Sequence, residues 1–189
     1  MPLTKLDSTA ALLVIDLQKG VLGMPAVHPI GEIVARTAQL ARAFRERGLP
    51  VVLVNASGRA PGRTDAGSPK FSLPPGWTEL VPELDQQPGD YTVTKQRWGA
   101  FLGTALDEYL LHRGVTQVVL TGVATSAGVE STARSAYDLG YHVTLVVDAM
   151  TDRDAAAHSH CVEKIFPRLG ETATTKDVLK LLKGGTEEA

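Results

Sequence analysis

Four polar side chains and one run of small residues stand directly behind apolar, β-branched stretches of this chain. Asp16 closes "AALLVID", Asn55 lies near the end of "PVVLVNA", Lys95 closes "YTVTK" and Asp148 closes "HVTLVVD". The stretch "QVVLTGV" is followed by "ATSAG", residues 124–128, in which every side chain is small. A carboxylate and an ammonium meeting at one rim can keep Asp16 ionised or tune it for proton transfer, according to how dry the surroundings are. Small residues at a helix start leave backbone N–H groups uncovered, able to bind an anion or steady an oxyanion. Plainer readings stand beside these. An Asp after a strand often only caps the next loop, a single Lys is usually solvated, and a tightly packed strand–helix junction also calls for small residues. Asp148, opening "DAMTDRD", suits an N-cap or loop-ordering role better than catalysis.

The elements that must carry these groups alternate. Strands are expected over residues 10–16, 50–56, 91–95, 117–123 and 142–148, with a weaker one at 171–175. The strongest are apolar without alternation, as in strands covered on both faces. Helix-period stretches separate them. "GEIVARTAQLARAFRERG" puts Ile33, Val34, Thr37, Leu40, Ala41 and Phe44 on one face and ends at Gly48, a C-cap. Further helices are expected in "GTALDEYLLHRG", "SAGVESTARSAYDLG", "DAAAHSHCVEKIFPRLG" and "TTKDVLKLLKG". The pattern predicts an α/β fold, a three-layer α/β/α sandwich on a mainly parallel, roughly six-stranded Rossmann-like sheet. Ligands of such sheets bind beyond the carboxyl ends of the strands. Residues 57–89, rich in proline and glycine, break the rhythm and form an irregular loop with at most a short helical turn.

Composition narrows the class. The chain has 189 residues, 43% hydrophobic and 21% charged, with a formal net charge of -2, and is read as a single domain over 1–189. No Lys/Arg run marks a nucleic-acid footprint, no apolar stretch reaches membrane-spanning length, and the first residues resemble no signal peptide. The single cysteine, Cys161, rules out an internal disulfide and a Cys-cluster zinc site, and fits a cytoplasmic protein.

The segments "LLVIDLQKG", "TKQRWGAFLGTALDEYLLHRGVTQVVLTGVATSAGVESTARSAYDLGYHVTLVVDAMTDRD" and "AHSHCVEKIFPRLGE" together resemble the isochorismatase-like hydrolases, also called the cysteine hydrolase family. The resemblance spans nearly everything outside 57–89. It implies a catalytic triad of the Asp in the first motif, the Lys of the "TK" motif and a Cys after "GVAT". The first two fall on Asp16 and Lys95, and the third falls on Gly128. It also implies a non-proline cis peptide between Val123 and Ala124, aiming the N–H groups of Ala124 and Gly128 at the substrate. Amide-hydrolysing members need the thiolate. Isochorismatases proper instead protonate a vinyl ether carbon with a carboxylic acid, and likewise replace the Cys by a small residue. The resemblance therefore implies Asp16 as the acid, Lys95 as its partner and Gly128 as the residue that makes room. Ala124, Asn55, Trp98 and Ser126 are the candidate substrate contacts.

Cys161 lies within a helical stretch away from these motifs, and most free cysteines are buried structural residues. Ser126 and Thr125 lack an assigned base. Metal-binding members of the family carry histidines after the second strand, where this chain reads "NASGRAPGR"; His158 and His160, two apart on a helix, face different ways. No metal or other cofactor is expected. Arg59, Arg63, Lys70 and Trp77 are candidates for holding an anionic or flat substrate, with a solvated loop as the alternative. Phe101 is expected in the core. The partners expected are a small-molecule substrate, no nucleic acid, no membrane, and further copies of the chain in a homo-oligomer, dimer or tetramer. A ligand-binding protein that has lost its nucleophile is the non-enzymatic alternative.

Overall fold

The computed structural model describes residues 3–65 and 73–184. Lys70 lies outside them. Six strands form one sheet in the order β3-β2-β1-β4-β5-β6, and every pairing is parallel. They are β1 (Ala10–Ile15), β2 (Val51–Ala56), β3 (Tyr91–Lys95), β4 (Gln117–Val123), β5 (His142–Thr151) and β6 (Glu171–Ala173). The chain builds outward from β1 to β3, then returns to pair β4 on the other side of β1. A crevice opens where strand order reverses, between the carboxyl ends of β1 and β4, and Asp16 and the 124–128 turn lie there.

Side chains of alternate strand residues point to opposite faces, so β1 feeds two cores. Ala11, Leu13 and Ile15 join the face covered by α3 (Leu106–His112) and α4 (Glu130–Asp138), with Phe101, Tyr141 and Phe166. Ala10, Leu12 and Val14 join the face covered by α2 (Ile30–Glu46) and α6 (Thr175–Gly184). The predicted apolar face of α2 is the buried one: Ile33, Val34, Thr37, Leu40, Ala41 and Phe44. Phe101 is in the core, as expected. A short α1 (Lys19–Leu22), for which the sequence shows no periodic signal, follows Asp16.

Two differences from the sequence expectation bear on the site. The strand expected to end at Asp148 runs on to Thr151, because β5 bulges: Leu120 pairs Leu145 but Gly122 pairs Met150. Asp148 is thus inside the element, where its carboxylate accepts from Thr175 N at 2.7 Å and anchors the start of α6. The helix expected over "DAAAHSHCVEKIFPRLG" divides into α5 (Ala155–His160), a wider turn at Cys161–Ile165 and a tight turn at Phe166–Arg168, with Pro167 at the break. Among the described residues of the loop 57–89, Pro82–Leu84 form a short helical turn.

Candidate active site

Asp16 leaves β1 with φ 52°, a left-handed conformation uncommon for a residue with a Cβ and held only where surrounding structure dictates it. Its N–H donates to Val54 O at 2.9 Å, continuing the ladder to β2. Lys95, the last residue of β3, lies two strands away, and its extended side chain crosses β2. Lys95 Nζ donates to Asp16 Oδ2 at 2.7 Å and to Arg97 O at 3.2 Å. Both residues are buried, with exposures of 8% for Asp16 and 2% for Lys95. The carboxylate's other oxygen, Oδ1, is buried with no hydrogen-bond donor among the described residues. Burial raises the carboxyl pKa from 3.8 to about 6, and the opposing pull of Lys95 does not cancel it.

Gly128 completes the convergence. A Cβ there would lie 3.2 Å from Asp16 Oδ2, 3.0 Å from Ile15 Cγ2 and 3.2 Å from Val123 O. The turn is therefore seated on the carboxyl group with no space for a larger residue unless something moves. Gly122, just before the turn, is held more tightly still. Its φ is +110°, and a Cβ would stand 2.0 Å from Ile15 O. The peptide between Val123 and Ala124 is cis. Ala124 N–H has no hydrogen-bond partner among the described residues, which leaves it able to meet an acceptor. The Ser126 N–H, in contrast, donates to Asp152 Oδ2 at 2.6 Å.

Asp152 is the residue that sequence reasoning passed over. It stands just past the true end of β5, is buried, and also accepts from Arg153 N at 2.7 Å. Burial pushes against its ionisation, but the N–H groups of Ser126, Arg153 and Asp154 outweigh that and hold its pKa below the usual carboxylate range. The available signal was "DAMTDRD", which holds three aspartates. Without the bulge, the first of them is the one at the strand end.

Asn55 is engaged by the protein itself. Its side-chain amide donates to Thr78 O at 2.9 Å, while its Oδ1 is buried with no partner among the described residues. This bond helps seat residues 77–81 over the segment after β1. Gln18 Nε2 donates to Trp77 O, Lys19 N to Glu79 O and Val81 N to Leu17 O. The Trp77 ring lies against Gly20, where a Cβ would fall 2.1 Å from Cδ1. Trp98 is 64% exposed, and Arg59 and Arg63 are exposed. Cys161 is buried, and its thiol donates to Glu130 Oε2 at 2.9 Å. Burial first, then Glu130, pushes the thiol up to about 12, so it is protonated and inert at neutral pH. Among the described residues no group of three or more His, Cys, Asp or Glu side chains is arranged to hold a metal ion.

A parallel α/β sheet with helices on both faces, and a buried carboxyl–ammonium pair at its switch point, defines the architecture of an isochorismatase-like hydrolase. Comparison with known proteins agrees. The chain belongs to the isochorismatase family: the isochorismatase domain matches residues 10–177. It is 41% identical over 182 residues to the isochorismatase family protein YwoC of Bacillus subtilis, covering 92% of this chain and 94% of that one. An isochorismatase family protein from Burkholderia thailandensis superposes with a TM-score of 0.91 at 44% identity, covering 95% of this chain and 98% of that one. The ureidoacrylate amidohydrolase RutB of Variovorax paradoxus is 33% identical over 188 residues, 82% of this chain and 74% of its own. The protein is a hydrolase of this family. No helix among the described residues is long and apolar enough to cross a membrane.

Proposed function

We propose that this hydrolase acts on a small, anionic metabolite by metal-free acid–base chemistry, with vinyl-ether hydrolysis as its reaction type. The observation that carries the reading is the buried Asp16–Lys95 pair seated against Gly128, with no thiol within the turn. Asp16, its pKa raised to about 6, holds a proton over part of the neutral range and can deliver it to the vinyl carbon. The carbon–hydrogen bond forms as the double-bond electrons move to it, leaving an oxocarbenium ion. Water adds to that cation and gives up a proton to the Asp16 carboxylate. The hemiketal then collapses to a carbonyl compound and an alcohol. Lys95 holds the carboxyl group in place and offsets its charge between the two proton transfers. In this reading Ala124 N–H offers the substrate a hydrogen bond, and Ser126 and Trp98 are further substrate contacts.

A small amide of the carbamoyl type is the second substrate class. It is favoured by the similarity to a ureidoacrylate amidohydrolase and by a 26% identical structural neighbour, an N-carbamoylsarcosine amidase from Thermoplasma acidophilum with a TM-score of 0.73. Purified protein incubated with isochorismate and with a panel of carbamoyl amides separates the two. Vinyl-ether cleavage that is lost in Asp16→Ala and untouched by iodoacetamide supports the acid mechanism. Turnover of amides alone moves the reading to the second class, and activity abolished by alkylating Cys161 would sink both. Turnover of nothing, with a small molecule retained through purification, would make the chain a binding protein. A homo-oligomer belongs to the same proposal, and light scattering that finds only monomer would remove it.

A further inference from the structure

The turn that presses on Asp16 has almost no side chains by which to be held. Of residues 124–128, Ala124, Ala127 and Gly128 offer no polar side-chain atom, and Ser126 is gripped through its backbone N–H. Thr125 is the exception. It is fully buried, and its hydroxyl lies 2.9 Å from Nδ1 of His158 in α5. The His158 ring meets His28 edge-on, with centroids 4.7 Å apart and planes at 64°. His28 is fixed in turn by Thr151 at the end of β5, whose hydroxyl is 3.1 Å from both its backbone N and its Nδ1. Burial first, then His28, lowers the pKa of His158, with Asp152 acting in the opposite direction. The imidazole is therefore neutral at neutral pH, and a neutral ring can share one proton with the threonine hydroxyl.

We propose that His158 is a positioning residue for the catalytic turn: by holding Thr125 it keeps Gly128 seated against Asp16, and so keeps that carboxyl group dry. His158 touches neither member of the charged pair in any hydrogen bond or ion pair described above, so it acts through the turn. Thr125 is three residues from Gly128, within one helical turn, so a shift at its side chain is transmitted to the glycine. Its loss should wet Asp16, and a wet carboxyl group returns toward its ordinary pKa. The proposal rests on the Asp16 acid reading only where activity is concerned.

The test follows Asp16 by carbon-13 NMR of its carboxyl group across pH, alongside kcat, KM and the melting temperature. In Thr125→Val and His158→Ala the Asp16 midpoint is expected to fall toward the ordinary carboxylate range. kcat should fall at least about tenfold with KM less affected, since small misplacements of a reacting group cost rate. His158→Asn, which can place an amide near the position of Nδ1, should restore both. The double variant Thr125→Val with His158→Ala should be no worse than either single one. An Asp16 midpoint unchanged in Thr125→Val and His158→Ala would overturn the proposal, and so would an asparagine variant as impaired as the alanine. If His158→Ala does not fold, the near-isosteric Thr125→Val decides alone. An Asp16→Asn variant that keeps full activity would defeat the acid mechanism, yet the Asp16 titration in Thr125→Val would still decide the clamp.

Discussion

At the scale of single residues, the proposed chemistry rests on Asp16, and burial is what would let it act as an acid. An ordinary aspartate is fully ionised at neutral pH, whereas burial raises the pKa of this one to about 6 although Lys95 pulls it the other way. A catalyst that must be protonated is most active below its pKa. The vinyl-ether activity is therefore expected to be highest below about pH 6 and to fall tenfold per pH unit above it. A profile of kcat/KM rising through pH 6 instead would identify Asp16 as a base. Lys95→Met removes the group that lowers the Asp16 pKa, so the carbon-13 midpoint should move upward and the carboxyl group should stay protonated at neutral pH. Gly128→Ala forces a Cβ to within about 3 Å of Ile15, Asp16 and a backbone carbonyl. The carbonyl cannot retreat easily, so a loss of about 1–3 kcal/mol in urea unfolding is expected, together with most of the activity. The identities and order of Asp16, Lys95 and Gly128 were legible in the sequence. The burial and the 2.7 Å contact that change what they can do were not, because neither property is local.

At the scale of elements, β4 and β5 set where the turn points. Gly122 is the only residue type that fits β4 against Ile15 O, and Gly122→Ala should leave little folded soluble protein, as circular dichroism and gel filtration would show. The bulge in β5 delivers Asp152 to Ser126 N. Asp152→Asn should cost about 0.5–2 kcal/mol, in the range of a lost helix cap. Because the folded pKa of Asp152 lies below its unfolded value of 3.8, its contribution is present above that pH and is lost as pH falls through the folded pKa. The stability difference between Asp152→Asn and the parent protein should therefore shrink below about pH 4; a constant difference would mean the charge has no part in it. Hydrophobic periodicity placed five of the six strands close to where they form. It misplaced the end of β5, since a bulge inserts residues without altering the apolar pattern that announces the strand.

At the scale of the whole molecule, the sheet separates two cores, and Ile15, the side chain that packs nearest Gly128, belongs to one of them. Ile15 and Val129, beside Asp16 and Gly128, belong to the face covered by α3 and α4, while Phe44 projects from α2 into the opposite face. Phe44→Ala is accordingly expected to cost about 3–5 kcal/mol in urea unfolding while leaving the Asp16 midpoint near its parent value. A midpoint that moves with it would show that the two faces are mechanically coupled. The sequence by itself determined the alternation of strands and helices, the parallel three-layer architecture, and the three strand ends that supply Asp16, Lys95 and the small-residue turn. Those features are written in short-range periodicity and in residue types at strand ends. Only the tertiary structure decided that Lys95 reaches across β2 to Asp16, that the Asn55 amide donates to Thr78 O, and that Asp152 and His158 hydrogen-bond to the turn. Each of these joins residues distant in sequence, and which distant groups meet is settled by strand order, bulges and packing rather than by local pattern.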